Sequence, residues 1–391
     1  MKPFNLYLKQ IFKARLNWLP LSVSILVMAF LLVMNTSSES KVGFIASLDD
    51  NNEIMQYISS DYEDTLSGDL DSKDRNKIFE AQESLKQNIA QNLKAIERAK
   101  VGDWSEALAI QIDLMERNEL ADIESKIHNF DENYIRYIYG KYQRYKILQG
   151  LNLPPEFEGG ESRGYTFLYR MLDTIFPIIF ILCLVTLLSD SFTRQFYDQI
   201  DLEDLFPVNQ VTWQLDKLVK IYLISLLVYG VSFGLFFIVA GLVNGFSSYQ
   251  YPISIYTDTY RETLPVWRLI AQTSVIHALT ILMTVIWVYL IAILTKEKLI
   301  TLFVSALTLI GGILLTGNIA PLAKVMHFIP TTYFFATRVI TQQLAYENVN
   351  QAITYQNGLL LVSIVNLFLI ALIMLIKSKR LHSIIQLFKN G

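Results

Sequence analysis

The residues of this sequence that could act together are concentrated between positions 201 and 209. Three acids, Asp201, Glu203 and Asp204, precede a mainly apolar turn. The turn consists of Leu205, Phe206, Pro207, Val208 and Asn209. Pro207 ends a helix because it has no amide hydrogen, and Asn209 can cap a helix that follows. Taken by itself, the stretch is equally consistent with an ordinary interfacial helix that ends at a proline.

The sequence offers no nucleotide-binding loop and no zinc-binding motif. The phosphate-binding pattern GxxxxGK[ST] and the zinc-binding pattern HExxH are both absent. The single cysteine, Cys183, lies in an apolar stretch, and the four histidines, His128, His277, His327 and His382, do not have ligand spacing. We therefore predict no catalytic residue, no metal site and no cofactor in this chain.

Two ionisable residues lie inside apolar stretches and are candidates for a substrate path. Ionisable groups at membrane depth are usually functional or paired. Asp173 follows Arg170 by three residues, so the two side chains can pair on one helix face. His277 follows Arg268 closely enough for an interfacial position to remain an alternative. A self-neutralised pair is the simpler interpretation of Asp173, and a substrate contact is the alternative.

These residues must be positioned by six apolar stretches that are each candidates for a membrane span. A spanning helix needs about 20 apolar residues, and lipid offers no hydrogen-bond partner to an unpaired amide. The mean hydropathy of +0.33 is too high for an ordinary soluble protein. The stretches cover approximately residues 18–34, 167–188, 218–243, 268–294, 299–316 and 358–376.

Lysines and arginines in the short loops predict the orientation, because cytoplasmic loops are enriched in both. They precede the first stretch, separate the fourth from the fifth and follow the last, at Lys2, Lys9, Lys13, Arg15, Lys296, Lys298, Lys377, Lys379, Arg380 and Lys389. We expect both termini in the cytoplasm and a bacterial plasma membrane. The first stretch is interpreted as an uncleaved anchor, and not as a signal peptide, since no AxA-like site follows it.

This orientation divides the chain into three parts. Residues 1–35 form a cytoplasmic N-terminus and the first span, and residues 36–165 form an extracellular domain. Residues 166–391 hold the other spans, a cytoplasmic loop at 189–217 and a short cytoplasmic tail. The predicted fold class is therefore an all-α polytopic membrane protein with six transmembrane helices and a large helical extracellular insert between helices 1 and 2.

The insert is predicted to be helical and to hold its core without disulfides. Apolar residues recur at helical spacing in runs at 78–96, 104–127 and 134–148. Gly102 ends the first run and Asp103 can cap the next. The insert carries 15 basic and 25 acidic residues, a net of −10, and the rest carries 18 and 11, a net of +7. An acidic exterior and a basic interior fit the orientation and argue against a nucleic-acid partner.

The loop 189–217 carries a family resemblance. Phe192, Phe196 and Ile200 are four residues apart, which predicts an amphipathic helix along the membrane surface, with the acids 201–204 on its outer part. A surface helix, the letters LFPVN and then lysines that enter the next span resemble the permease subunit of type-2 ATP-binding-cassette (ABC) exporters. The layout of six spans with inner termini is also similar, over residues 165–391 and the first span.

The resemblance implies roles for two segments. The loop would be a connecting helix and a coupling turn that docks in a cleft of the ATPase, through residues 201–209. The letters HFIPTTYFF at 327–335, with His327, Pro330 and Tyr333, would be a re-entrant hairpin at the outer surface. Two departures are visible: the usual early acid of the connecting helix is replaced by the neighbourhood of Asp190 and Arg194, and the insert is longer than in the simplest members.

The leading functional hypothesis is a transport subunit without its own ATP-binding motif. It would export an amphipathic, peptide or lipid-linked substrate, with ABC ATPase subunits, which bind ATP and Mg²⁺, and a second permease chain as partners. The alternative is a membrane-anchored sensor or scaffold whose extracellular helical domain binds a ligand. An ion-coupled carrier would need more intramembrane charges than Asp173 and His277. The substrate and the choice between homodimer and heterodimer stay open.

Overall fold

The structure, a computed structural model, describes residues 18–67, 71–126, 130–197, 200–201, 210–257, 262–318 and 320–377. They fall into two compact units. The membrane unit contains the described residues of Met1–Phe30, Leu168–Val239 and Arg268–Gly391, and the insert unit those of Leu31–Phe167 and Ala240–Trp267.

Most described residues are helical. The chain starts with α1 (Trp18–Val42), α2 (Phe44–Leu66), α3 (Ser72–Lys100), α4 (Trp104–Met115), a π-helical turn (Glu116–Leu120), α5 (Ala121–Ser125) and α6 (Glu132–Leu151). It continues with α7 (Gly164–Thr174), a second π-helical turn (Phe176–Phe180), α8 (Ile181–Thr193), β1 (Phe196–Tyr197), β2 (Ile200–Asp201) and α9 (Gln210–Asn244). It ends with β3 (Pro252–Ser254), β4 (Thr263–Pro265), α10 (Val266–Thr295), α11 (Lys298–Asn318), two 3₁₀ segments (Ala320–Phe328 and Pro330–Phe334), α12 (Ala336–Ile340), α13 (Gln343–Glu347) and α14 (Tyr355–Lys377).

Six helical stretches of the described chain are long and apolar enough to cross a membrane. They lie at Trp18–Leu66, Phe176–Thr193, Val211–Asn244, Val266–Thr295, Lys298–Leu315 and Tyr355–Lys377. The chain is therefore a multi-pass, mainly helical membrane protein, as its hydropathy predicts. The described strands form two short antiparallel pairs: β1 (Phe196–Tyr197) with β2 (Ile200–Asp201), and β3 (Pro252–Ser254) with β4 (Thr263–Pro265).

The first helix extends well beyond its apolar part. Hydropathy predicts a span that ends at residue 34, but α1 continues to Val42 and α2 begins at Phe44. The intervening Gly43 donates its main-chain N–H to the Glu39 carbonyl at 3.0 Å, so the helical hydrogen bonding carries on. Hydropathy cannot detect this extension, because a helical backbone bonds equally well under polar side chains.

The insert unit is a packed set of helices with a hydrophobic core. α2 packs against α3, α3 against α4, and α4 against α6. The fully or almost fully buried core includes Ala95, Leu108, Ile123 and Leu148, one or more from each of the three predicted runs. Burial of a large aliphatic side chain contributes about 1.5–3 kcal/mol. The described part of the insert contains no cysteine, so this packing holds it together without a disulfide.

Aspartates begin the helices of the insert unit. The carboxylates of Asp71, Asp103 and Asp131 accept main-chain N–H groups of Ser72 at 2.8 Å, Glu106 at 3.2 Å and Asn133 at 3.1 Å. Each bond satisfies a donor that the first turn of a helix leaves open. Gly102 precedes the second cap with a φ of 83°, in the left-handed region. The predicted stop at Gly102 and cap at Asp103 are confirmed.

Residues 240–267 belong to the insert unit, which the sequence does not indicate. The main-chain N–H groups of Gly164 and Tyr165 bond the carbonyls of Gly245 at 3.0 Å and Phe246 at 3.1 Å. The Asn244 amide donates to the Ser162 carbonyl at 3.0 Å. These main-chain contacts bring the end of α9 and the β3–β4 pair to the segment that precedes α7.

Glu156 organises the turn before α7. Its main-chain N–H donates to the Tyr251 hydroxyl at 2.8 Å. Its carboxylate accepts the Ser162 N–H at 3.1 Å and the Thr166 hydroxyl at 2.8 Å. Burial raises the pKa of Glu156, against the lowering effect of Arg163 and of these donors. Glu156 therefore connects residues 162–166 with Tyr251 within the insert unit.

A short-helix segment follows α11 and packs on α11 and α14. The Tyr333 ring is fully buried, and its hydroxyl donates to the His327 carbonyl at 3.1 Å. The Thr332 hydroxyl donates to the Met326 carbonyl at 2.8 Å. The two 3₁₀ segments are thus tied together by side chains that bond main-chain carbonyls across the turn at Pro330.

We expect Gly358→Ala to destabilise the protein, because the Tyr333 ring lies against the α14 backbone. A Cβ atom at residue 358 would be 2.4 Å from Tyr333 Cδ1. Overpacking of this kind costs about 1–3 kcal/mol. Thermal unfolding of the detergent-purified protein measures the effect.

Gly311→Ala is the matched control, since a Cβ at residue 311 would meet nothing within 4 Å. That variant should unfold at or above the wild-type temperature, because alanine favours a helix over glycine. Equal melting temperatures for the two variants would contradict the assigned contact.

Candidate functional site

Two groups of polar side chains, most of them buried, join the ends of several helices in the membrane unit. We call the two groups together the span-end network. It connects the end of α8, the β1–β2 pair, the start of α9, the start of α11 and the end of α14. Its members are Asp190, Gln195, Asp201, Lys217, Lys298 and Lys377.

The centre of the span-end network is an ion pair between Asp201 and Lys377. Asp201 is the last residue of β2, and Lys377 ends α14. Their side chains are only 5% and 7% exposed. A buried charge is costly to desolvate unless an opposite charge and further hydrogen bonds compensate it. The pair therefore fastens the hairpin to the last spanning helix.

Gln195 extends the pair towards α9. Its amide Nε2 donates to Asp201 Oδ2 at 3.1 Å, and its Oε1 accepts a hydrogen bond from Lys217. The Lys217 ammonium also lies over the rings of Phe192, at 5.7 Å, and Tyr289, at 5.4 Å. A cation over an aromatic face is favoured electrostatically. The start of α9 is thereby held beside α8 and α10.

Tyr289 of α10 and Gln214 of α9 lie beside Lys217 and bond each other. Both side chains are fully buried, and the Tyr289 hydroxyl donates to Gln214 Oε1. The Tyr289 ring packs against the Phe192 ring with centroids 4.8 Å apart. A buried hydroxyl needs such a partner, since an unpaired polar group in a core costs about 1–3 kcal/mol.

A second ion pair joins α8 to α11. Lys298, the first residue of α11, lies with its Nζ 2.6 Å from Asp190 Oδ1. Arg194 pairs with the other oxygen of the same carboxylate. Asp190 is almost completely buried, whereas the two cations are about two-fifths exposed. The pair fixes the end of the second candidate span to the start of the fifth.

The structure corrects the predicted surface helix after the second span. Phe192, Phe196 and Ile200 have helical spacing, but α8 ends at Thr193 and residues 196–197 pair with 200–201 as antiparallel strands. Asp201 does not lie on an exposed helix face, because it is buried against Lys377. The chain departs from its local period since Gln195 is bonded by Lys217 of α9, 22 residues away, and Asp201 by Lys377 of α14, 176 residues away.

The other residues predicted to couple to an ATPase lie outside the described residues. They are Glu203, Asp204, Leu205, Phe206, Pro207, Val208 and Asn209. The described residues on either side of them are Asp201 and Gln210, and Asp201 belongs to the span-end network. The network therefore anchors the entry to the predicted coupling turn, and Gln214 and Lys217 anchor the helix that follows it.

Asp173 lies in a separate polar cluster near the end of α7. Its Oδ1 accepts the Thr337 hydroxyl at 2.6 Å and Arg338 Nε at 3.3 Å. Arg170 Nη1 lies 3.8 Å from the other oxygen, which confirms the predicted pairing. The contacts from α12 were not predicted. Asp173 thus has three partners and ties α7 to the segment after the 3₁₀ turns.

His277 lies in α10 and is buried among aromatic side chains. Its ring stacks on Phe176 with centroids 3.3 Å apart, and its Nδ1 lies 3.3 Å from the Tyr229 hydroxyl. Phe180 and Phe233 complete the cluster around Tyr229. Asp173 and His277, which we predict as parts of one path, have different sets of partners.

Residues 230–234 read GVSFG, which matches the letters of the serine-nucleophile pattern GxSxG. That pattern works only on a sharp turn from a strand into a helix. Here the letters lie within the helix α9, which runs without interruption from Gln210 to Asn244. The match therefore does not indicate a nucleophile.

Among the residues that the structure describes, no group of three His, Cys, Asp or Glu side chains is placed to hold a metal ion. No protein-family profile, no curated protein and no solved structure matches this chain. The interpretation of the site therefore depends on its geometry.

We expect Asp201→Asn to destabilise the protein by about 3–5 kcal/mol, because it removes one charge from a buried ion pair with Lys377. The double variant Asp201→Asn, Lys377→Met should recover most of that loss. Thermal unfolding in detergent, analysed as a double-mutant cycle, measures the coupling.

The exposed pair Glu63–Lys86, at 2.9 Å, is the matched control for that cycle. Its neutralisation should change stability by about 0–1 kcal/mol, since water screens an exposed pair. Additive losses at residues 201 and 377 would show that the two side chains do not interact.

Proposed function

We propose that the chain is the membrane subunit of an ATP-driven ABC exporter. It would move an amphipathic, peptide or lipid-linked substrate out of the cell and would depend on separate ATPase subunits for ATP hydrolysis. The six spanning stretches, the resemblance around LFPVN and the buried span-end network next to that turn support this proposal. The network is the observation that carries it, since coupling needs a rigid connection to the spans.

The proposed mechanism transmits a push on residues 203–209 through the span-end network. Asp201 passes movement to α14 through Lys377. Lys217, with Gln195, Phe192 and Tyr289, passes movement to α8 and α10. Packed, charge-paired elements move as rigid bodies between discrete arrangements, and they do not deform continuously. Closure of the ATPase dimer would therefore re-angle several spans together.

In this proposal both termini and the loop 189–217 are cytoplasmic, and the insert is extracellular. The net charge of −10 in the insert and of +7 elsewhere supports that orientation. A second permease chain, identical or homologous, would enclose the path with this one. His327, Pro330 and Tyr333 would lie in a re-entrant turn at the outer surface.

The Asp173 carboxylate is bonded by protein partners, which favours an apolar path over an ion-coupled one. His277 Nδ1 lies beside the Tyr229 hydroxyl, and His277 Nε2 is buried without a hydrogen-bond partner among the described residues. Asp173 is bonded by Thr337 and Arg338, and His277 is enclosed by aromatic rings. The walls offered to a substrate would then be mostly apolar. This agrees with an amphipathic or lipid-linked substrate.

The alternative function is a membrane-anchored sensor or scaffold that binds a ligand through its insert. A cavity of about 580 Å³ in the insert unit favours this second candidate. A sensor would not need an ATPase beside the turn at 203–209. Association with an ATPase therefore separates the two candidates.

Co-purification from membranes tests the coupling turn. We expect an ABC ATPase to copurify with the wild-type chain, and Phe206→Ala with Pro207→Ala to release it. Tyr57→Ala, at a 77% exposed position of the insert, is the control and should retain it. Retention of the ATPase by the turn variant, or its absence from the wild type, would overturn the coupling role.

Cysteine labelling tests the orientation, and the buried Cys183 gives a low background. Tyr57→Cys in the insert should react with a membrane-impermeant maleimide in intact cells. Tyr197→Cys, at a 68% exposed position of the β1–β2 pair, should react only after permeabilisation. Labelling of Tyr197→Cys in intact cells would place the turn outside and remove the basis for an ATPase partner.

A further inference from the structure

The insert unit contains a cavity of about 580 Å³ whose wall is unusually rich in side-chain amides. It is bounded by α2, α3, α4, the first π-helical turn, α6 and the turn at 155–158. The volume falls in the range of pockets that hold small ligands, about 300–1,000 Å³. Lining residues with exposed side chains, such as Asn51 and Asn118, mark its opening.

A chain of buried amides reaches the cavity from the core. Gln111 Nε2 donates to Asn92 Oδ1 at 2.8 Å, and Asn92 Nδ2 donates to Asn52 Oδ1 at 3.1 Å. All three side chains are more than nine-tenths buried, and Asn92 and Gln111 line the cavity. Each amide carries both donors and acceptors. A core that needed only stability would be better filled by aliphatic groups.

Among the residues that the structure describes, two charged groups of the cavity wall have no opposite charge within 4.0 Å. Glu119 Oε2 is buried without a hydrogen-bond partner. Glu119 lies on the π-helical turn Glu116–Leu120, a type of turn that is frequent at functional sites. Within the described part of the chain, no carboxylate lies within 4.0 Å of the Lys141 ammonium, which instead lies over the rings of Tyr145 and Tyr137 at 5.6 and 6.0 Å.

The remaining charges of the wall are already used within the protein. Glu156 accepts Ser162 and Thr166, as described above, and Glu158 pairs with Arg144 at 3.6 Å. One carboxylate and one ammonium are therefore left for a ligand. The apolar part of the wall is formed by aliphatic and thioether side chains, including Leu48, Met55 and Met115.

We propose that this cavity binds a short peptide with free termini and apolar side chains. The amides of Asn92, Gln111 and their neighbours would bond the peptide groups, Glu119 the ammonium end and Lys141 the carboxylate end. A sugar fits less well, because the tyrosine faces on which a sugar would stack are covered by Lys141. A phosphate ligand fits less well too, because acids face the same space. The inference goes beyond the export proposal and does not depend on it.

Affinity-selection mass spectrometry on the full purified chain tests the proposal. The probe is an equimolar mixture of synthetic tetrapeptides built from Leu, Val, Phe and Ala with free termini. A second mixture is the same set, N-acetylated and C-amidated. We expect the chain to retain free peptides through size-exclusion chromatography and to retain capped ones at least tenfold less.

Glu119→Gln and Lys141→Met should each weaken retention at least tenfold, and Asn88→Trp should abolish it by filling the cavity. Glu63→Gln and Lys86→Met, on exposed side chains outside the cavity, are the charge-matched controls and should retain the peptides. Thermal unfolding checks that each variant is folded. If Asn88→Trp does not fold, Met55→Trp takes its place as the variant that fills the cavity.

Three results would overturn the proposal: no free peptide retained by the wild type, equal retention of capped peptides, or full retention by folded Glu119→Gln and Lys141→Met. The experiment uses the chain without an ATPase. Failure here would leave the export proposal standing, and loss of ATPase binding would leave the peptide site standing.

Discussion

The membrane unit depends on the buried ion pair between Asp201 and Lys377. Neither charge can be left alone in its site, because an uncompensated buried ion costs several kcal/mol. β2 and the end of α14 must therefore stay together or separate completely. Gln195 and Lys217 extend this constraint to the end of α8 and the start of α9, so that the described residues on either side of 202–209 are fixed to several candidate spans at once.

The insert unit is stabilised mainly by apolar packing and by helix caps, and buried polar groups lie beside its cavity. Leu108, Ile123 and Leu148 form a core without disulfides, and aspartate caps start three of its helices. The amides of Asn92 and Gln111 interrupt that core. They are satisfied by one another, so their burial is tolerated, but their position beside a cavity gives them a role that stability alone does not require.

Ionisable groups within apolar stretches turned out to have protein partners. Asp173 is bonded from α12 as well as from its own helix, and His277 lies against Phe176 and Tyr229. Such groups are usually taken as markers of a path through a membrane protein. Here they hold helices together.

The sequence alone determined the properties that depend on local composition and period. Six apolar stretches gave the spans, since hydrocarbon selects for long apolar helices, and Gly102–Asp103 gave a helix end and a cap, since both act within one turn. Only the tertiary structure decided that residues 196–197 pair with 200–201 as strands. It also decided that the described residues of 240–267 belong to the insert unit, and which charged side chains pair. Lys377 lies 176 residues from Asp201 and Lys298 lies 108 from Asp190. No local period can record such pairings, because their energy arises only when folding removes both charges from water.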